Sequence, residues 1–280
     1  MKIDVVVPYV DFNDKEWQKR AEKNGIVIDK VRFRGQGDFF KYFFRCIDKN
    51  ISWINNIFLI VQSESQVPKW INKEKVKIIL HEEIIPKEFL PVYSSCTIEM
   101  FIHNIKELEE HFLYFNDDMF VIKELLPSSF FENNKVRQTF MNCFPKGIYG
   151  SHVKNSYMIN FNDENKLLPI HSIQPLLKSK VIECFNLYKD NILKSISKLR
   201  EDKNYNVYIY MFYLKKLGLC DTSNIVFRKV ANYNYRTFLC IRFADIICIN
   251  DEDTSFNIYE NKDINKWFEE HFKEKSKYEL

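Results

Sequence analysis

Glycine is scarce in this chain, which has six residues of it against 25 phenylalanines and 15 tyrosines. With no internal repeat or low-complexity segment, that balance excludes a tail or linker and marks a folded protein. Cysteine spacing is equally uninformative of a framework. The seven cysteines are scattered, odd in number and free of Cys-x-x-Cys pairs, which argues against a zinc site or a disulfide scaffold and for reduced thiols in a cytosolic compartment. Nowhere does an apolar run reach the roughly 18 residues of a membrane span; the longest candidate, 237–250, is broken by Arg242 and Asp245. The N-terminus enters a strand-like segment with no basic and apolar leader, so no secretory signal is expected. A formal net charge of +3 without any reader motif argues against nucleic acid as a partner.

What is present is a globular composition, 46% hydrophobic and 28% charged, long enough at 280 residues for one large domain. The β-branched run Ile3–Tyr9 predicts a strand whose regular pairing ends at Pro8. Residues 38–49 carry Phe39, Phe40, Phe43, Phe44 and Ile47 at helical spacing, and Ile57–Val61 reads as the next strand, a βαβ pattern. Strands at Val76–Leu80 and Phe112–Phe115 are expected, with a helix over 95–108 between them. The fold class is therefore α/β, a twisted sheet flanked by helices, with its ligand crevice beyond the strand C-termini. Further on the chain is more helical: 178–199 and 207–217 read as helices, the second followed by Gly218 as C-cap, and 262–280 as a charged amphipathic helix packed on the core.

Four constellations carry candidate chemistry. Asp11 and Asp14 follow the first strand, where capping or turn formation competes with ligand binding. Arg32, Arg34, Lys41 and Arg45 surround the start of the helical segment 38–49, and Gly35 and Gly37 beside Arg34 would let the backbone approach a phosphate closely. The aromatic strand 111–115 ends in Asn116, Asp117 and Asp118, acids that cannot be buried unpaired without a penalty of several kcal/mol and so point to a metal, a substrate or a turn. Glu99 sits inside an apolar helical run and faces either solvent or the crevice. Finally His171, Arg200 and Asn250–Asp251 offer a proton carrier, a cation for phosphate and a second acidic strand end.

In order and spacing these segments resemble the Stealth family of sugar-1-phosphate transferases, which includes bacterial capsular polysaccharide phosphotransferases and the enzyme that begins the mannose-6-phosphate tag. The resemblance runs through Asp4–Asp11, then Arg32-Phe-Arg34, Lys41-Tyr42, Phe44-Arg45, Trp53-Ile-Asn55, Pro68–Asn72, His81-Glu82, Leu90-Pro91, Ile98-Glu99 and Tyr114–Phe120, then the region about His171, then Cys248–Asp251. It departs at Pro8-Tyr9, where the family commonly has Thr-Trp, and at His171-Ser-Ile-Gln174, where it often has His-x-Pro-His.

The resemblance implies a glycosyltransferase-A-like domain over 1–280: a nucleotide-sugar-binding α/β core at 1–130, an active-site-completing part at 131–260 and a C-terminal amphipathic helix at 261–280. It implies transfer of sugar-1-phosphate from a UDP-sugar to a glycan hydroxyl with release of UMP, in capsule or other surface-polysaccharide synthesis, at the inner face of the membrane or in a capsule-assembly complex. Glu99, Asp118, His171 and Arg200 would be catalytic, with the proton taken by either His171 or Glu99. Asp11, Arg34, Arg45 and Asn116 would bind substrate, and Asp117, Asp118 and Asp251 would hold Mg²⁺ or Mn²⁺. The rival readings are a metal-dependent glycosyltransferase that releases UDP and a non-catalytic nucleotide-sugar-binding module.

Overall fold

The computed structural model describes residues 1–27, 36–163, 165–230, 241–250 and 258–280. Arg32, Arg34, Gly35 and Asp251, all singled out above, lie outside the described residues.

The central sheet has five strands in the order β10-β4-β1-β2-β3, where β1 is Ile3–Pro8, β2 Ile57–Val61, β3 Val76–Leu80, β4 His111–Tyr114 and β10 Gln174–Leu177. β1, β2, β3 and β4 run parallel, and β10 pairs antiparallel to β4 with Gln174 opposite Tyr114. β1 and β2 are near-continuous apolar runs because both faces of a central parallel strand are covered. The polar residue in β1, Asp4, is fully buried. Its carboxylate accepts from Asn55 Nδ2 at 2.9 Å, from the Asn56 backbone N–H at 3.1 Å and from the Glu109 N–H at 2.8 Å. It is thus a structural anchor, at the strand end remote from Asp11.

The chain leaves β1 for β2 and β3 on one side, then returns to lay β4 on the other. That reversal opens a crevice between the C-terminal ends of β1 and β4, the place where open α/β sheets bind ligands. Asp11 follows one of these ends and Asn116 to Asp118 the other.

Helix α1 is Lys15–Lys23, and α2, Lys41–Asn50, is entered through a 3₁₀ turn at Gly37–Phe40. Six of its ten residues are buried, and its aromatics form a wall under the crevice: Tyr9 stacks on Phe40 at 4.1 Å and Phe43 meets Phe115 edge-on at 5.4 Å. After the short helix α3, His81–Ile84, comes α4, Ser95–Met100, which is shorter than the expected helix over 95–108. It stops because Tyr210 donates its hydroxyl to the Met100 carbonyl at 3.1 Å, and a separate 3₁₀ turn follows at Ile102–Asn104.

Strand β5, Met119–Val121, leaves the acidic turn and joins a second sheet with β13, Ile246–Ile249, which in turn pairs with β12, Phe227–Val230. Smaller pairings involve β6 Phe131–Glu132, β7 Lys135–Arg137 and β11 Cys220–Asp221, and β8 Phe140–Asn142 with β9 Leu167–Pro169. The expected helix over 178–199 divides into α6, Lys178–Leu187, and α7, Lys189–Ser195. α7 ends where Asn204 Nδ2 takes the Ser195 carbonyl at 2.5 Å, so 196–206 becomes a loop and Arg200 projects from it. Two helices frame this loop, α5 at Gly147–Met158 and α8 at Tyr208–Lys216. Gly218, at φ 72°, closes α8 as only glycine does readily, with the Leu219 N–H on the Leu214 carbonyl at 2.9 Å.

The C-terminal helix, Lys262–His271, is capped by Asn261 and buries Phe268 against Phe39 and Phe120. Among the described residues no helix is long and apolar enough to cross a membrane, and the six cysteines they include are all free.

Candidate active site

The tight turn from β4 to β5 is built by the Met119 N–H on the Asn116 carbonyl at 3.2 Å, and it turns Asp118 inward. Asp118 is 7% exposed. Its Oδ2 accepts from Asn250 Nδ2 at 2.9 Å, while its main-chain carbonyl accepts from the Ile249 N–H at 2.8 Å, so the end of β13 holds both parts of the residue. Oδ1 is buried with no hydrogen-bond partner among the described residues. A buried carboxylate oxygen left unpaired costs on the order of 1–3 kcal/mol or more, and a cation or a ligand donor is what such an atom fits.

Beside it, burial and the negative charge of Asp118 push Asp117 well above the usual carboxylate range. The Asp117 carbonyl accepts from Gln36 Nε2 at 2.9 Å. Asp11, Asp38 and Asp117 all act on the Tyr9 hydroxyl, whose acidity is suppressed first by burial and then by those three charges. Asp11 itself is half committed to its turn: its carboxylate accepts from the Asn13 N–H at 2.9 Å and its backbone is clamped from both sides by Gln66. Asp14 caps α1 through the Glu16 N–H at 2.9 Å.

His171 faces Asp118 from the loop before β10. One donor atom from each of Asp118, His171 and Cys248 lies within 4.8 Å of the others. The His171 loop is rigid for a local reason: Gln174 Nε2 donates to the Ile170 carbonyl at 3.1 Å and the Ser172 carbonyl at 2.6 Å, and Gln138 Nε2 binds the Ile173 carbonyl at 3.0 Å. His171 Nδ1 is shared with the Tyr208 hydroxyl at 3.1 Å and the Tyr149 hydroxyl at 3.4 Å, which are 2.9 Å from each other. Burial lowers the His171 pKa, an effect that the Asp118 carboxylate opposes. The Cys248 thiol is held far above its ordinary value by burial and then by Asp118.

Glu99, 5% exposed on α4, uses both oxygens. Oε2 accepts the Val207 N–H at 2.6 Å and Oε1 accepts the Tyr114 hydroxyl at 3.1 Å. Burial raises its pKa against the opposing Val207 N–H and Arg200 charge. Arg200 is exposed at the rim and donates from Nη2 to Ser95 Oγ at 2.8 Å. Its charge acts on Glu99, Asp117 and His171 alike, which places the guanidinium over the site. Its loop is tied down by Thr97 Oγ1 on the Ser197 carbonyl at 2.8 Å and by His152 Nε2 on the Glu201 carbonyl at 2.8 Å.

The structure thus brings Glu99, Asp117, Asp118, His171 and Arg200 together and sets Asn116 in the adjoining turn. Arg45 stands elsewhere: its guanidinium binds both oxygens of Glu279 at 2.8 Å and the Phe272 and Lys273 carbonyls, latching the C-terminal segment to α2. With 11% of its side chain exposed, it is largely committed to this latch. Asp118, His171, Arg200 and Glu99 were legible as candidates, whereas Tyr149 and Tyr208 on His171 and the thiol of Cys248 were not. The signal for Tyr149 was faint. It stands before Gly150, where a Cβ would come within 1.9 Å of the Pro145 carbonyl, so a close backbone crossing fixes α5 at this position. Two surface cavities of about 540 and 290 Å³, one beside Pro68 and Leu280 and one beside Lys123 and Trp267, contain none of these residues.

The family model for Stealth protein CR2, conserved region 2, matches residues 32–139. The capsular polysaccharide phosphotransferase of Neisseria meningitidis serogroup B is 30% identical over 90% of this chain and 78% of that protein. WcwK, the capsular polysaccharide phosphotransferase of Streptococcus pneumoniae, is 28% identical over 99% of this chain and 98% of its own length. The chain belongs to the Stealth family. Among solved structures it is similar to the galactosyltransferase LgtC (TM-score 0.44, 9% identity, 96% of this chain and 94% of that one) and to the glycosyltransferase GlyE of S. pneumoniae (TM-score 0.40, 14% identity, 99% and 66%). Likeness that loose carries no function.

Proposed function

We propose that the protein transfers a sugar-1-phosphate from a UDP-sugar to a hydroxyl of a glycan acceptor, releasing UMP, in the synthesis of a capsular or other cell-surface polysaccharide. Its relatives named capsular polysaccharide phosphotransferases support a transferase of this kind. The observation that carries the site assignment is the buried Asp118 carboxylate at the sheet's switch point, which lies within 4.8 Å of a His171 ring nitrogen and whose Oδ1 has no hydrogen-bond partner among the described residues.

In this reading the acceptor oxygen attacks the phosphorus that bears the donor sugar, the bond from that phosphorus to the UMP oxygen breaks, and the acceptor proton passes to His171. Glu99 is a poor base because both of its oxygens already accept hydrogen bonds. His171 is a better one: with its proton on Nδ1 directed to the Tyr208 oxygen, Nε2 is left to take the acceptor proton. Arg200 supplies positive charge to the phosphate oxygens, and Ser95 orients it. Mg²⁺ or Mn²⁺ fits the orphaned Asp118 oxygen, with Asp117 beside it and Asp251, outside the described residues, as the third proposed ligand. Bound there, such an ion would neutralise pyrophosphate charge, the main demand of chemistry at phosphorus. The protein would work peripherally at the inner membrane face.

Nucleotide product analysis tests the proposal. Incubation with UDP-sugars, an acceptor glycan and Mg²⁺ or Mn²⁺ should release UMP. Release of UDP would instead identify a glycosyltransferase, and donor binding without turnover a non-catalytic module.

A further inference from the structure

We propose that Asp118, His171 and Cys248 form a three-ligand site for a borderline transition-metal ion of the zinc type, and that filling it blocks sugar-phosphate transfer. The first half stands on geometry alone; the second rests on the function proposed above.

Three different elements deliver the donors: the β4–β5 turn, the loop before β10, and β13. Carboxylate oxygen, imidazole nitrogen and sulfur lie within 4.8 Å of one another. Zinc–ligand bonds of about 2.0–2.3 Å put the donors of a tetrahedral ion about 3.5 Å apart, so the three side chains need to close by only about 1 Å. The carboxylate that completes the set is more than nine-tenths buried and has one oxygen unpartnered among the described residues, and Cys248 is fully buried beside it. The frame around them is stiff. Asn250 and Ile249 pin Asp118 to the end of β13, and Gln174 and Gln138 pin the His171 loop.

The donor types decide the metal. Magnesium seeks hard oxygen ligands and gains nothing from sulfur, whereas a set of one carboxylate, one imidazole and one thiolate suits Zn²⁺ or Co²⁺. When the ion enters, the Cys248 S–H bond breaks, its proton leaves to solvent, and the sulfur bonds the metal. The two anions, Asp118 and Cys248, then balance the ion's two positive charges, and no group is oxidised or reduced. Three protein ligands leave a fourth position open, as in catalytic rather than structural zinc sites. Here, however, the ion ties up His171 and Asp118, the groups the transfer reaction requires.

The test is a cobalt titration of the full chain after chelator treatment. The expected result is a thiolate-to-cobalt charge-transfer absorption that saturates at one equivalent and survives a large excess of Mg²⁺. Cys248→Ser should abolish that band and weaken Zn²⁺ binding by more than about tenfold, since even outer-shell changes cost that much. Replacing the exposed Cys143 by Ser should leave the band unchanged. No saturable band in the native protein, or a band that persists in Cys248→Ser, overturns the site. If circular dichroism shows that Cys248→Ser does not fold, His171→Gln serves instead, and unchanged cobalt affinity there overturns it equally. In the UMP-release assay, Zn²⁺ should inhibit, with recovery on chelation, and full activity of zinc-saturated protein overturns the inhibitory half. A chain that binds cobalt as described but never releases UMP sinks the proposed reaction and leaves the metal site standing.

Discussion

Glu99 Oε2 accepts the backbone N–H of Val207 at 2.6 Å, which ties α4 to the start of α8 across the floor of the site. The Tyr114 hydroxyl occupies the other oxygen. Glu99 is therefore a fixed electrostatic strut between the strand that ends in the acidic turn and the helix that carries Tyr208. Glu99→Gln keeps an acceptor for Val207 and should fold, with a pH–rate profile whose acidic limb matches that of the native enzyme. Disappearance of that limb would make Glu99 the base. Glu99→Ala strands two buried donors and should cost about 2–4 kcal/mol in denaturant unfolding.

Asp118 should show activity and stability pulling in opposite directions. Asp118→Asn preserves an acceptor for Asn250 and removes a buried charge with an unpaired oxygen. Turnover should fall by about a thousandfold or more while the melting temperature stays level or rises. A variant that retains substantial UMP release would end the assignment of Asp118 to the reaction.

Ser95 is expected to act through Arg200. Removal of its hydroxyl in Ser95→Ala frees the guanidinium that Ser95 Oγ accepts from at 2.8 Å. A loss of roughly tenfold in kcat without a change in melting temperature is expected, and Arg200→Lys should lose more because an ammonium cannot reproduce the planar fork. Equal kcat in Ser95→Ala and native enzyme would refute the positioning role.

Arg45 and Glu279 predict a purely structural coupling. With 11% and 4% of their side chains exposed, the partners form a largely buried pair, and loss of either leaves the other uncompensated. Each single alanine variant should cost about 3 kcal/mol and the double variant clearly less than the sum, as measured by a double-mutant cycle. Donor affinity should be unchanged in variants that remain folded.

Two histidines set a pH window for stability. Burial lowers His81 and His103 from 6.5 to about 4, so each is neutral in the native state across a range where the unfolded chain takes up a proton. Their contribution is complete above about pH 6.5 and is lost as pH falls towards 4, with a slope of about 1.4 kcal/mol per pH unit for each histidine within that window. Replacing His81 by Phe should remove one proton's worth of that slope in pH-dependent unfolding. An unaltered slope would show that His81 titrates normally.

Local signals were read well where burial is simple. β2 and β3 occupy the expected residues: β2 is an apolar run buried on both faces, and β3, a half-buried edge strand, keeps its β-branched residues around Lys77. Where side-chain partners end an element, local pattern misled: Tyr210, 110 residues further along, caps α4 at the Met100 carbonyl, and Asn204, nine residues further along, folds back on the Ser195 carbonyl at the end of α7. Arg45 likewise has a partner from a distant part of the chain. A cation near a helix start suits phosphate as well as it suits a distant carboxylate, and only folding brought Glu279 to it.

By itself, the sequence determined the α/β class, through strands long enough and apolar enough to be buried on both faces, and it marked Asp118, His171, Arg200 and Glu99 as groups with chemistry to offer. Tertiary structure alone decided their states. Among the described residues, packing leaves one Asp118 oxygen without a partner, gives both Glu99 oxygens one, and sets two tyrosines and a thiol around His171. These are long-range desolvation and hydrogen-bonding effects, and they arise only when strands and loops separated by tens to more than a hundred residues close on one another.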